Sequence, residues 1–270
     1  MSSLLRPNLR PRRAVAVAQS EVAGGTEPTR ILDWTHPRVA ALTAELAVGA
    51  ASSDPHGAPA APLDAPARIA LLRRAHRLIA VSVQPVYSVE DERRVSRVLA
   101  RGRGSCSQRL ALLEAVARSA GVPTRVRGLL VDGRFWHPRF PRLRRIVPDQ
   151  VLLAWPEFRL QDGPEAVWLP VSELFGSIES LRAADGRAFT NDGPETLFEA
   201  LARTAVDWDG GGAGLCPAAA PDSCDLSAHV LRDLGRYDAR DDLFARHGQT
   251  LCRPARLLAE PVLGRRPAGL

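Results

Sequence analysis

The chain has 270 residues, 45% hydrophobic and 24% charged, an ordinary balance for a globular protein and enough chain for one large domain. The formal charge of +6 invites a nucleic-acid reading. However, all 36 basic residues are arginine, and with abundant Ala, Gly and Pro this is the bias of a GC-rich genome, so neither nucleic acid nor membrane is an expected partner.

No apolar run reaches the length of a membrane span. The Arg-rich first twenty residues contain only the short run AVAVA, too little for the apolar stretch of a signal peptide. A cytoplasmic protein is the default expectation. Residues 1–28 mix Arg, Pro, Gly, Ser and Thr without periodicity and read as a flexible arm. From Thr35, HPRVAALTAELAVGA has an early proline and helical apolar spacing. ASSDPHGAPAAP at 51–62 reads as a linker. Asp64 and Pro66 then open a second helix, which Pro85 ends. Ser88-Val89-Glu90-Asp91 has capping-box spacing and predicts a third helix over about 92–99.

The segment RGRGSCSQRLALLEAVARSAGVPTRVRGLLVDG follows. Its RGRG stops the third helix. Ser105 or Cys106 begins another, with Leu110, Leu113, Val116 and Ala117 on one face. Gly121 is placed as its left-handed terminal residue, and Pro123 prevents continuation. TRVRGLLV reads as a strand, with a turn at Asp132-Gly133. QVLLAWPEFRL and EAVWLPV read as two more strands, SELFGSIESLRA as helical, and PETLFEALAR as one further helix. The chain is loop-rich after Phe189, and residues 251–270 form a C-terminal tail.

The cysteines stand at 106, 216, 224 and 252. No CxxC pair exists, so no structural zinc site is expected. Without a leader, disulfides are not expected either. There is no nucleotide, flavin or metal motif, so no cofactor is implied. Cys106 differs from the others by position. Gly104-Ser105-Cys106 leads straight into an amphipathic helix, and a helix N-terminus favours the thiolate that attacks carbonyl carbon. Gly104 would let a substrate approach the backbone closely. Equally, a cysteine here can be a packed residue at a helix start.

The stretch from Arg101 to Leu130 resembles the core motif of the transglutaminase-like superfamily. It has Gly-x-Cys, an apolar helix, and the turn Ala120-Gly121-Val122-Pro123-Thr124-Arg125 into a strand. Tyr87 resembles the family's lead-in tyrosine. DWDG at 207–210 and VLRDLGRYDARDD at 230–242 resemble the tail of one bacterial branch. The resemblance covers about 30–250 and is strongest over 100–175. It implies an α+β, papain-like fold, with N-terminal helices and the cysteine helix packed on an antiparallel sheet, over residues 29–250. It also implies a thioester on Cys106, formed from a peptide, protein or small-molecule acyl donor and passed to an amine or water. Histidine and aspartate would assist.

The same alignment puts Leu153 where the family has histidine, in Leu153-Ala154-Trp155-Pro156-Glu157, and Ser172 where it has aspartate, four residues after Trp168. His137, between Trp136 and Arg139, is the candidate replacement base; otherwise it is an exposed loop histidine. Glu157 and Asp149 are further candidates for the acid–base role. Gly104, Trp136 and Trp155 are candidate substrate-binding residues, Trp155 and Trp168 being equally suited to the core. The alternative is a catalytically degenerate domain that binds a protein or peptide.

Overall fold

A computed structural model describes residues 22–48, 63–141, 144, 147–163, 166–184, 189–210 and 225–264. The expected linker at 51–62 and Cys216 and Cys224 lie outside the described residues. The first helix, α1, spans Pro37–Val48. Asp64 caps α2 (Ala65–Ser82) by accepting the Ala67 N–H at 2.8 Å, as its position predicts.

The third helix is shifted from expectation. α3 runs Val95–Arg101, and Ser88 and Asp91 do not cap it. Its first N–H groups are satisfied from far away instead. Val95 N–H donates to Ile31 O, and Ser96 gives its N–H and its hydroxyl to the two Asp33 oxygens at 3.0 and 2.6 Å. Gly102 ends α3 in the left-handed conformation, φ +59°. Two short strands, β1 (Gln84–Pro85) and β2 (Arg103–Gly104), then pair in parallel and deliver the chain to α4 (Cys106–Ser119).

α4 is the central helix: every residue from Gln108 to Arg118 is buried, and it packs on α1, α2, α3 and the sheet. Its apolar side chains join one continuous core with both layers, each large one contributing roughly 1.5–3 kcal/mol. Gly121, at φ +74°, turns the chain past its end into β3 (Thr124–Asp132).

β3 pairs antiparallel with β4 (Gln150–Arg159), from Thr124↔Phe158 to Asp132↔Gln150. β5 (Trp168–Pro170) and β6 (Val230–Tyr237) complete a four-stranded antiparallel sheet in the order β5-β4-β3-β6. The molecule is therefore α+β, with helices gathered against an antiparallel sheet. Alternation puts Arg125, Arg127, Trp155, Glu157 and Arg236 on one face. Gly128 belongs to the other face, under Leu243 of α7 (Arg240–His247).

The helical expectation after Trp168 resolves into a 3-10 turn at Val171–Glu173 and α5 (Ile178–Ala184). PETLFEALAR supplies the short α6 (Leu197–Ala200). Two end assignments need correction. Residues 22–28 do not behave as a flexible arm. Gly25 exchanges two backbone hydrogen bonds with Thr124, and Gly24 N–H donates to Asp238 at 2.8 Å. The tail from 251 contains α8 (Arg253–Leu263), which Cys252 precedes as N-cap residue and which packs with Val89 and Leu251.

Candidate functional site

Cys106 is the first residue of α4, half-buried against the core. The helix start is fixed by a reciprocal pair. Ser105 Oγ accepts the Gln108 N–H at 3.3 Å, and Gln108 Oε1 accepts the Ser105 N–H at 3.1 Å. Gln108 Nε2 also donates to Ser88 Oγ and Glu90 O, at 2.9 and 2.8 Å, which ties this turn to the preceding loop. The thiol thus sits at the positive end of a 14-residue helix, where an anion is favoured.

A second support comes from α7. Arg240 is completely buried. It donates through Nε to Glu114 at 2.5 Å, through Nη1 to Ser107 Oγ at 3.2 Å and through Nη2 to Ala154 O at 3.3 Å. One guanidinium therefore joins the residue after Cys106 to strand β4. Burial pushes the Glu114 carboxyl up, and Arg240 and Arg118 act against that shift.

Gly104 is buried in β2, and packing accounts for it: a Cβ there would lie 2.9 Å from Val98 Cγ1. Val86 N–H donates to Gly104 O at 3.1 Å, so Tyr87 stands directly beside the approach to Cys106. The Tyr87 ring packs on Phe140 with centroids 4.5 Å apart. Phe140 closes a 3-10 turn, Gly133–Arg139, by donating its N–H to His137 O. This tilted ring contact ties the turn carrying Trp136 and His137 to the segment that follows β1. Arg139 anchors the far side of the turn, donating to Asn191 Oδ1 at 2.8 Å and to the carbonyls of Gly193 and Glu195.

Trp136 is half-buried and meets Phe135 edge-on at 4.8 Å. His137 is half-buried. Among the described residues, neither its ring nor the Cys106 thiol makes a hydrogen bond, to each other or elsewhere.

The other expected positions lie apart. Leu153 is buried opposite Leu129, and Ser172 is buried just beyond β5. Glu157 lies between Arg125 at 2.5 Å and Arg236 at 3.1 Å, an ion triad that accounts for its burial. Asp149 is exposed, and its carbonyl accepts the Gly133 N–H. Trp155 is buried edge-on to Trp208 at 5.7 Å.

Trp155 and Ser172 meet in a cavity of about 140 Å³ together with Trp168, Trp208, Glu173 and Arg236; neither Cys106 nor His137 lines it. Among the described residues no group of His, Cys, Asp and Glu forms a metal site, and no helix is long and apolar enough to cross a membrane.

Residues 56–172 match the model of the transglutaminase-like superfamily. This part of the chain belongs to that superfamily. No curated protein and no solved structure matches the chain. The transglutaminase-like segment contains Cys106, His137, Leu153 and Ser172, and it ends at Ser172. Arg240, which braces the cysteine helix, lies beyond it. Sequence reading missed Arg240, because one arginine among 36 basic residues carries no signal. It missed Trp208 and Glu173 as cavity residues for a related reason: nothing local tells which face of the sheet they will cover.

Proposed function

We propose that this protein is a cysteine-dependent acyltransferase or amide-bond enzyme working through a thioester on Cys106. The observation that carries the reading is the placement of Cys106 at the first position of a fully capped, buried helix, with its thiol half-exposed. In the reaction, the sulfur attacks the carbonyl carbon of an acyl donor and the leaving group departs with a proton. An amine or water then attacks the thioester, and sulfur leaves as thiolate. His137 is the proposed proton carrier. Its turn touches Tyr87 through Phe140, and the reading requires movement of that turn to bring the imidazole to the thiol. Trp136 would line the donor's approach.

The test is alkylation of the folded protein by iodoacetamide against pH, read by mass spectrometry at each cysteine. Cys106 should react quickly well below the free-thiol pKa of about 8.5, and unfolding should abolish the advantage. With p-nitrophenyl acetate as a generic donor, wild type should release a burst of p-nitrophenol that Cys106→Ala lacks. An equal burst in that variant would sink the proposal.

The resemblance favours a second reading, a non-catalytic binding module. Its alignment sets Leu153 and Ser172 where the family has histidine and aspartate, and neither side chain can act as that histidine or carboxylate. Slow alkylation that rises only near the free-thiol pKa in both folded and unfolded protein would select this reading.

A further inference from the structure

The cavity beside β5 has walls whose charges nearly all have partners within the protein. Arg127 is engaged by Asp209 at 2.6 Å and Asp233 at 2.8 Å. Glu157 is shared by Arg125 and the Nε of Arg236. Asp207 accepts from Arg182 Nη2 at 2.5 Å and from the N–H groups of Asp209 and Gly210.

Three groups in the wall remain. The Glu173 carboxylate has no hydrogen bond or ion pair among the described residues. Among the described residues Arg236, an exposed side chain, uses only its Nε, toward Glu157, and neither Nη group has a partner. Trp208 is 4% exposed, and its Nε1–H is shielded from the open space of the cavity and has no acceptor among the described residues. The remaining lining is Ser172 and the apolar Trp155, Trp168, Pro170, Ile178 and Val206.

We propose that this cavity is a binding site for a small zwitterion of the α-amino acid class. Glu173 takes the ammonium group, and Arg236 takes the carboxylate. Arg236 Nη1 and Nη2 form the paired donor edge that suits a carboxylate. Burial and the nearby Glu179 and Asp207 carboxylates push the Glu173 carboxyl up, and a cation beside it would act against that shift. The volume of about 140 Å³ matches a ligand with a short side chain, since an apolar void of about 150 Å³ admits benzene. A simple acid or a simple amine would satisfy one end and leave the other unmatched. The site does not involve Cys106, and its test reads binding alone.

Full-length protein is titrated with L-alanine, propionate and ethylamine, followed by calorimetry and by the fluorescence of the wall tryptophans. L-alanine should bind saturably, with propionate and ethylamine each at least about tenfold weaker, a discrimination set by the loss of one charged contact. Glu173→Gln and Arg236→Gln should each weaken L-alanine by a similar factor. Absence of saturable L-alanine binding overturns the proposal. Equal binding of either half-molecule also overturns it, and this comparison needs only the wild-type protein. Unchanged affinity in both folded variants overturns the assignment of the two ends.

Discussion

Arg240 and Glu114 are both fully buried and face each other at 2.5 Å, 126 positions apart in the chain. The pair is not completely satisfied, since Glu114 Oε2 has no hydrogen-bond partner among the described residues. Its value lies in what it holds, because the same guanidinium reaches Ser107 and Ala154. Removing one member strands the other as an isolated buried charge, which costs about 3–5 kcal/mol, whereas removing both is far cheaper. Arg240→Met should therefore lower the stability measured by urea unfolding by that amount. The double variant Arg240→Met with Glu114→Leu should regain most of the loss. If the single variant unfolds at the wild-type urea concentration, the pair does not brace the helix.

The element scale shows where local sequence suffices. α2 and α4 are legible because apolar periodicity and end signals agree: Asp64 and Ser105 both cap, and Gly121 takes the left-handed conformation that the following Pro123 reinforces. α3 is misread because its capping groups are used over long range. Ser88 Oγ donates to Glu260, and Asp91 N–H donates to Gln249 Oε1. The helix instead borrows Asp33. β6 is illegible because it is an edge strand with mostly solvent-facing residues, so no apolar alternation marks it. The candidate site divides in the same way. Cys106 is readable from its helix start, whereas Arg240 and the cavity depend on which strands become neighbours. β3 meets α7 at Gly128, where a Cβ would lie 2.6 Å from Leu243 Cδ1 and 3.3 Å from Leu234 Cβ. Leu243 is itself fully buried and has little room to yield. Gly128→Ala should cost about 1–3 kcal/mol by overpacking. Adding Leu243→Ala should cost less than the two single effects summed. Strict additivity in thermal or urea unfolding would show that the two residues do not compete for space.

At the scale of the whole molecule, both ends of the described chain fasten onto the segments that frame α4. From the C-terminal side, Glu260 of α8 receives hydrogen bonds from the Ser88 hydroxyl, the Val89 N–H and Arg93, holding the loop that Gln108 also grips. From the N-terminal side, residues 22–28 lie along the start of β3. Gly25 and Thr124 exchange two backbone hydrogen bonds of 3.0 Å. Gly24 is in such close contact with Trp168 that a Cβ would come within 2.4 Å of the indole. Arg118, buried at the end of α4, gives Nη1 to Glu27 O at 2.9 Å. Loss of this segment would remove two strand-type hydrogen bonds, worth about 0.5–1.5 kcal/mol each, and take an acceptor from a buried cationic donor at a further cost of about 1–3 kcal/mol. A protein starting at residue 29 should therefore be less stable by about 2–6 kcal/mol than one starting at residue 22. Comparing these two truncations isolates the seven residues from everything before them. The loss should appear in urea unfolding as a lower midpoint. It should also speed amide exchange at Thr124, whose N–H would lose the Gly25 carbonyl. Equal midpoints and equal exchange at Thr124 would mean that the sheet and helix layers hold without this strap.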